Sequence, residues 1–229
     1  LTGGKVREPI IKGSYRSFVE LTAHEQVGED YREIVRDRDS AIVVLAPHGG
    51  GIERGTSELA AAIAGDELSL YCFEGLKREA NDVLHIASTC FDAPRCVALV
   101  ARAQIAVSVH GCRGDETVVY VGGRHTSLKE RLIVRLRHAG FQARNDATHH
   151  PGVFKANICN RGRLQRGIQL ELPRGLRERL FVGLTRPQRE QRTVDFTAFV
   201  DAVRAVLLPA SLHEVPLGRR AGWPGDGNG

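Results

Sequence analysis

His48 closes an apolar run, three glycines follow it, and Glu53 stands five positions after the histidine, in VVLAPHGGGIERGTSELA over residues 43–60. Three chemistries compete for that pattern. A phosphate loop needs a lysine after its glycines, as in G-x-x-x-x-G-K-[ST], and none follows here. An oxyanion hole of the H-G-G-G kind serves a nucleophile carried on G-x-S-x-G, and the chain has no such elbow. A metal site uses every one of these residues. It needs an imidazole at the carboxyl end of a strand, glycines that let the backbone turn sharply, positive φ included, and a carboxylate that swings back to form a chelate.

Zinc centres that hydrolyse amides take three protein ligands and leave a fourth position for water. QIAVSVHGC supplies a third ligand, because this second apolar run ends in His110 and Gly111 and repeats the strand-His-Gly arrangement. His48, Glu53 and His110 then form a two-histidine, one-glutamate set for one Zn2+ ion, the composition used by carboxypeptidase-type peptidases. Such a centre also needs a carboxylate to take and pass on a proton. In GIQLELP, Glu171 lies between Leu170 and Leu172. A carboxylate in an apolar strand requires a functional cavity or a cation, and Arg174 and Arg177 are the nearest cations in sequence.

These residues need strand ends to hold them. Segments 41–47, 68–74, 104–111, 117–123 and 167–173 are short, rich in β-branched residues and bounded by Gly, Pro or Asp, so they read as strands, several of them buried on both faces. Helical patterns lie between them: 55–65 opens with a Ser/Thr signal and stops at Gly65, 126–140 repeats Leu128, Leu132, Ile133 and Leu136 and stops at Gly140, and 93–104 and 193–209 add two more. The alternation predicts an α/β sandwich. Residues 145–163 show no sustained period and read as a long functional loop. The apolar pattern fails from Pro209 onward, so residues 1–208 are expected to form one catalytic domain and 209–229 a flexible tail.

Composition excludes some classes. No run of eighteen apolar residues exists to span a membrane, and the first residues lack a signal peptide's apolar middle. The five cysteines are odd in number, scattered, and contain no C-x-x-C, which argues for reduced thiols over a disulfide framework or a zinc ribbon. The formal charge of +5 is concentrated in NRGRLQRGIQLELPRGLRERL, a cluster suited to an anionic partner, either nucleic acid or a polycarboxylate.

APHGGGIERGTSELA, LHIASTCFDAP, VSVHGCRG and NRGRLQRGIQLELPRGLR, in this order, resemble the poly-γ-glutamate hydrolase family of phages and bacteria, whose members have also carried the label phage-related replication protein. The resemblance implies a three-layer α/β sandwich distantly related to zinc carboxypeptidases, with a mixed, mostly parallel sheet between helices. It also implies zinc-dependent hydrolysis of γ-linked glutamate polymers. Carried over by motif, it implies zinc ligands at His48, Glu53 and His110 and a catalytic carboxylate at Glu171, and it puts His85, in LHIASTCFDAP, near the substrate. Carboxypeptidases space their first two ligands H-x-x-E; H-x-x-x-x-E here requires a different turn.

The implied polymer carries one free carboxylate per unit, which guanidinium groups bind bidentately. Arg161, Arg163, Arg166 and Arg174 surround Glu171 in sequence, with Arg163 and Arg166 the first candidates to face the cleft. His149 and His150 are candidates to polarise the carbonyl. The expected protein is a monomer that acts on an anionic polymer, in the cytoplasm or after release with phage, away from any membrane. Two alternatives differ in kind. One is a zinc amidase of small N-acyl amino acids that uses the same site. The other is a phage-replication-associated nucleic-acid-binding protein, against which stand the 6% aromatic content and the lack of helix-turn-helix or zinc-finger spacing.

Overall fold

The apolar runs become the middle of a seven-stranded sheet. The structure, a computed structural model, describes residues 15–146 and 150–213, the last five by backbone alone. In chain order the elements are α1 (Phe18–Thr22), β1 (Tyr31–Arg36), β2 (Ile42–Gly50), α2 (Thr56–Ala64), β3 (Ser69–Gly75), a 3-10 turn (Asn81–Leu84), α3 (Pro94–Arg102), β4 (Ile105–Cys112), β5 (Val118–Gly122), α4 (Thr126–His138), β6 (Gln142–Asn145), a second 3-10 turn (Ile158–Asn160), β7 (Ile168–Pro173), α5 (Arg174–Leu180), α6 (Arg186–Arg189) and α7 (Val194–His213). The sheet order is β1-β3-β2-β4-β7-β5-β6. Strands β3, β2, β4 and β7 run parallel, β1 and β5 lie antiparallel to β3 and β7, and β6 is parallel to β5. The mixed, mostly parallel α/β sandwich is the one expected.

Side chains alternate between the two faces of a strand, so each strand divides its residues between two cores. Ile105, Val107 and Val109 of β4 join Leu59 and Ile63 of α2, Leu128, Leu132 and Leu136 of α4, Leu176 and Leu180 of α5, and Phe199 and Val203 of α7. Each such buried leucine or phenylalanine contributes about 1.5–3 kcal/mol. Ala106 faces the other way, with Leu45, Tyr71 and Phe73, against α1, α3 and the loops that carry Leu84, Ile86, Phe91 and Ile158. One face is thus covered mainly by helices and the other mainly by loops.

Several elements were not read from the sequence. β1 is an edge strand whose residues are mostly half-exposed, β6 has four residues, and α1, α5 and α6 are short. Helix α7 continues past Pro209 to His213, so the backbone of 209–213 is helical where a tail was expected. The rest of the expected tail, 214–229, lies outside the described residues. All five cysteines are free thiols, with Cys72, Cys96 and Cys159 buried, Cys112 half-buried and Cys90 exposed. Among the described residues no helix is long and apolar enough to cross a membrane.

Candidate active site

His48 sits near the carboxyl end of β2 and His110 near that of β4, both almost fully buried. The glycines after His48 do not all form the turn. Gly49 and Gly50 continue the strand past a register shift and pair with Glu74 and Gly75 of β3. A Cβ on Gly49 would stand 1.9 Å from Ser57 Oγ, and one on Gly50, at φ +64°, would stand 2.5 Å from the Gly75 carbonyl. Glycine is therefore required here for close approach as much as for bending. The turn follows at 51–55, closed by the Glu53 N–H donating to the His48 carbonyl at 2.8 Å, and this returns the Glu53 side chain to the imidazoles.

Three acceptors converge there. His48 Nδ1 lies 3.1 Å from His110 Nδ1 and 3.1 Å from Glu53 Oε1, and His110 Nδ1 lies 3.4 Å from Glu53 Oε2. His48 Nε2 is 2.7 Å from the Ile86 carbonyl, which can only accept, so the Nε2 proton is placed there and the Nδ1 lone pair faces inward. His110 Nε2 meets Ser88 Oγ at 3.4 Å, a hydroxyl able to accept its proton and so leave the Nδ1 lone pair facing inward. Two inward lone pairs and a carboxylate within 4.8 Å of one another are stabilised by a cation between them. Ligand atoms on a tetrahedral zinc stand roughly 3.3 Å apart, so the spacing fits one. Burial alone would push Glu53 up, but His48, His110 and His85 outweigh it and hold the carboxylate well below its usual range. Its Oε2 also accepts the Gly111 N–H at 2.9 Å.

Glu171 pairs with His110 across the β4–β7 ladder, so both side chains rise from the same face of adjacent strands. It is 6% exposed, and its Oε1 accepts from Gln169 Nε2 at 3.0 Å. Burial first, then the nearby negative charges of Glu53 and Asp146, push its carboxyl well above the usual range. His85 ends the first 3-10 turn, stacks on His48 at 3.8 Å between ring centroids, and places Nε2 3.6 Å from Glu53 Oε1.

The structure does not bring the proposed arginines into this cluster. The backbone of Arg163 bonds to Ala103 and that of Leu164 to Gln104, at the start of β4, and Arg166 precedes the start of β7. Both arginines are exposed at the far end of the strands, roughly 16 Å of strand from His110. Nearness to Glu171 in sequence placed them wrongly, because a segment that precedes a strand lies at the strand's opposite end. Arg161 donates to the carbonyls of Ala156, Phe91 and Thr89, which ties the 156–161 segment to the loop that holds Ile86 and Ser88. Arg174 pairs with Glu178 on the surface. His150 is exposed, with its backbone N–H on Asp146, and His149 lies outside the described residues.

Three supporting groups were missed, and a fourth, Arg177, was read only as a cation near Glu171. Ser88 and the Ile86 carbonyl orient the histidines, and no sequence signal marks a backbone carbonyl. Gln169 bridges Glu171, the His150 carbonyl and the Asn157 amide; the polar alternation of Gln169 and Glu171 in IQLELP was its available sign. Arg177 is buried, and its guanidinium donates to the carbonyls of Leu172, Arg54 and Cys112. It therefore joins the three segments that carry Glu171, Glu53 and His110.

A mixed α/β sheet with two histidines and a glutamate gathered at strand ends, and a buried carboxyl on the next strand, has the layout of a metal-dependent amide hydrolase. Comparison with known proteins gives the particular family. The chain belongs to the poly-γ-glutamate hydrolase family, whose model matches residues 15–202. It is 40% identical over 169 residues to the protein YndL of Bacillus subtilis, an alignment that spans 73% of this chain and 66% of YndL, just under two thirds of that relative's length. The prophage-derived YoqZ of the same organism is 35% identical, over 73% of this chain and 61% of its own length. Among solved structures, a bacteriophage poly-γ-glutamate hydrolase superposes with a TM-score of 0.83 at 30% identity, over 86% of this chain and 97% of that one. The zinc-free form of YndL gives 0.82 at 36% identity, over 86% and 98%.

Proposed function

We propose that this chain hydrolyses the γ-glutamyl amide bonds of poly-γ-glutamate, holding one zinc ion through His48, His110 and Glu53, with Glu171 moving the protons. The observation that carries the reading is the convergence of two inward Nδ1 atoms and a carboxylate, with both imidazoles held from behind by Ile86 and Ser88. Bound zinc would supply polarisation of the attacking water and of the γ-carbonyl. The protein's own part lies in its side chains. Glu171 takes the proton of the attacking water on a carboxylate oxygen and delivers it to the departing amine nitrogen. A carboxyl whose affinity for protons is raised by burial suits both halves of that transfer. Gln169 fixes the direction of Glu171 through its 3.0 Å bond. His85, partly exposed against Glu53, closes one side of the cluster.

The test is the size distribution of purified poly-γ-glutamate after incubation with zinc-loaded protein, beside a chelated control and α-linked polyglutamate. Chelator-sensitive shortening of the γ-linked polymer alone is expected. No shortening by fully zinc-loaded protein would remove the polymer and direct attention to small N-acyl glutamates.

A further inference from the structure

Strand register sets four side chains in one row across the loop-covered face. His110 of β4 pairs with Glu171 of β7, Glu171 with Tyr120 of β5, and Tyr120 with Arg144 of β6. Residues opposite one another in neighbouring strands point to the same face. The row therefore runs from the histidine cluster, through the catalytic carboxyl, to an aromatic ring and a guanidinium at the sheet's edge. The Arg144 guanidinium carbon lies 5.0 Å from the Tyr120 ring centroid, and Nη2 lies 3.4 Å from the Tyr120 hydroxyl. Among the described residues no carboxylate pairs with Arg144, unlike Arg174, Arg179, Arg189 and Arg204, each of which has one.

Val119, Val121, Phe141 and Ala143 belong to the helix-covered core, which leaves Tyr120, Gln142 and Arg144 on the other side, the last two exposed. A cavity of about 490 Å3 wraps the β6 edge, lined by Val118, Gln142 and Arg144 and, from the helix-covered side, by Arg137, Phe141 and Ala143. Arg137 uses Nε on the Ala143 carbonyl and has no carboxylate partner among the described residues. Arg144 thus stands at the end of the row from Glu171, exposed and with no carboxylate partner among the described residues.

We propose that Arg144, seated on Tyr120, binds a free α-carboxylate of the poly-γ-glutamate chain at a unit next to, or one beyond, the bond being cut. The inference rests on the function proposed above. Glu171 and Arg144 are two strands apart, roughly 10 Å. A γ-linked unit places five chain atoms where an α-linked residue places three, so it extends roughly 6 Å against about 3.5 Å. One to two γ-linked units therefore cover the distance from the scissile carbonyl to Arg144. The guanidinium fork receives a carboxylate through two parallel N–H donors, and the ring beneath it keeps the fork flat. Arg144, and not Arg163 or Arg166, is the specificity residue for the polymer's charge.

The test uses zinc-loaded protein and the variants Arg144→Gln and Arg144→Lys. Arg144→Gln is expected to raise KM for poly-γ-glutamate about tenfold, the scale of one lost charge-assisted contact, with kcat and zinc affinity unchanged. Arg144→Lys should recover part of the loss. Equilibrium binding of intact polymer to Glu171→Gln, with and without Arg144→Gln, should show the same tenfold weakening where no turnover interferes. Wild-type KM and wild-type polymer binding in Arg144→Gln would overturn the inference while leaving the proposed function in place. A fall in kcat together with zinc affinity would also overturn it, since the residue would then act through the fold. Failure of the wild-type protein to shorten the polymer would instead sink the functional reading, and this inference with it.

Discussion

The two faces of the sheet solve opposite problems with the same strands. On the helix-covered face, β4 and β7 present Val107, Val109, Leu170 and Leu172 to α2, α4, α5 and α7, and every one of these is fully buried among apolar neighbours. On the loop-covered face the same strands present Ser108, His110, Gln169 and Glu171, also buried, and each has a polar partner. The first face gains stability from burial. The second loses some of it by desolvating acceptors and carboxyls, and loops rather than helices cover it because loops can offer carbonyls and hydroxyls to the imidazoles. Stability and chemistry are divided by strand alternation, one residue apart.

Substitutions on the two faces should therefore change stability with opposite signs. Leu132→Ala, on α4, should cost about 2–5 kcal/mol in denaturant unfolding and leave zinc affinity unchanged. Glu171→Gln should reduce turnover by about 10²-fold or more with zinc retained, read by steady-state kinetics and metal content. The same change should stabilise the metal-free protein. A carboxyl whose affinity for protons is raised on folding contributes stability below its unfolded range and loses it as pH rises through the folded value. Wild-type stability should thus decline above the ordinary glutamate range, by about 1.4 kcal/mol per pH unit while only the folded state keeps the proton, whereas Glu171→Gln should not follow it. Parallel unfolding curves for the two proteins at pH 5 and pH 8 would break the comparison.

Smaller effects sharpen it. Ser88→Ala removes the hydroxyl behind His110 and should weaken zinc binding about tenfold in a competition titration, with the unfolding midpoint little moved. Arg163→Ala, at the far end of the strands, should change zinc affinity, KM and stability by no more than about 0.5 kcal/mol equivalent. A KM effect there would restore the placement read from the sequence.

What the sequence disclosed follows the same division. Strands β2, β4 and β7 were legible because burial on both faces leaves continuous apolar runs; His48, His110 and Glu171 stood out as the polar residues interrupting or ending them, and Glu53 as the carboxylate just past the glycines. The edge strand β1, YREIVR, carries charges on half-exposed positions, and β6 is only QARN, so neither leaves an apolar trace. Helix α5 begins straight after Pro173 with no linker to announce it. The arginines were misplaced for a topological reason, since sequence distance from Glu171 does not say which end of β7 a segment occupies. Arg144 lay within sight in the sequence, yet it joins the site only through the register of β7, β5 and β6, a pairing between segments far apart in the chain.

Arg177 has a consequence for the thermodynamics of metal capture. One guanidinium holds the carbonyls of Arg54, Cys112 and Leu172, so the turn bearing Glu53 and the strand ends bearing His110 and Glu171 are fixed to one another before any ion arrives. The conformational entropy of assembling the ligands is lost during folding of the chain, and binding has little left to order. The ion then meets a rigid receptor, in contrast to a zinc finger, where metal and fold appear together. Chelation should empty such a centre without unfolding it, and reloading should proceed as simple association, with no slow rearrangement of the chain.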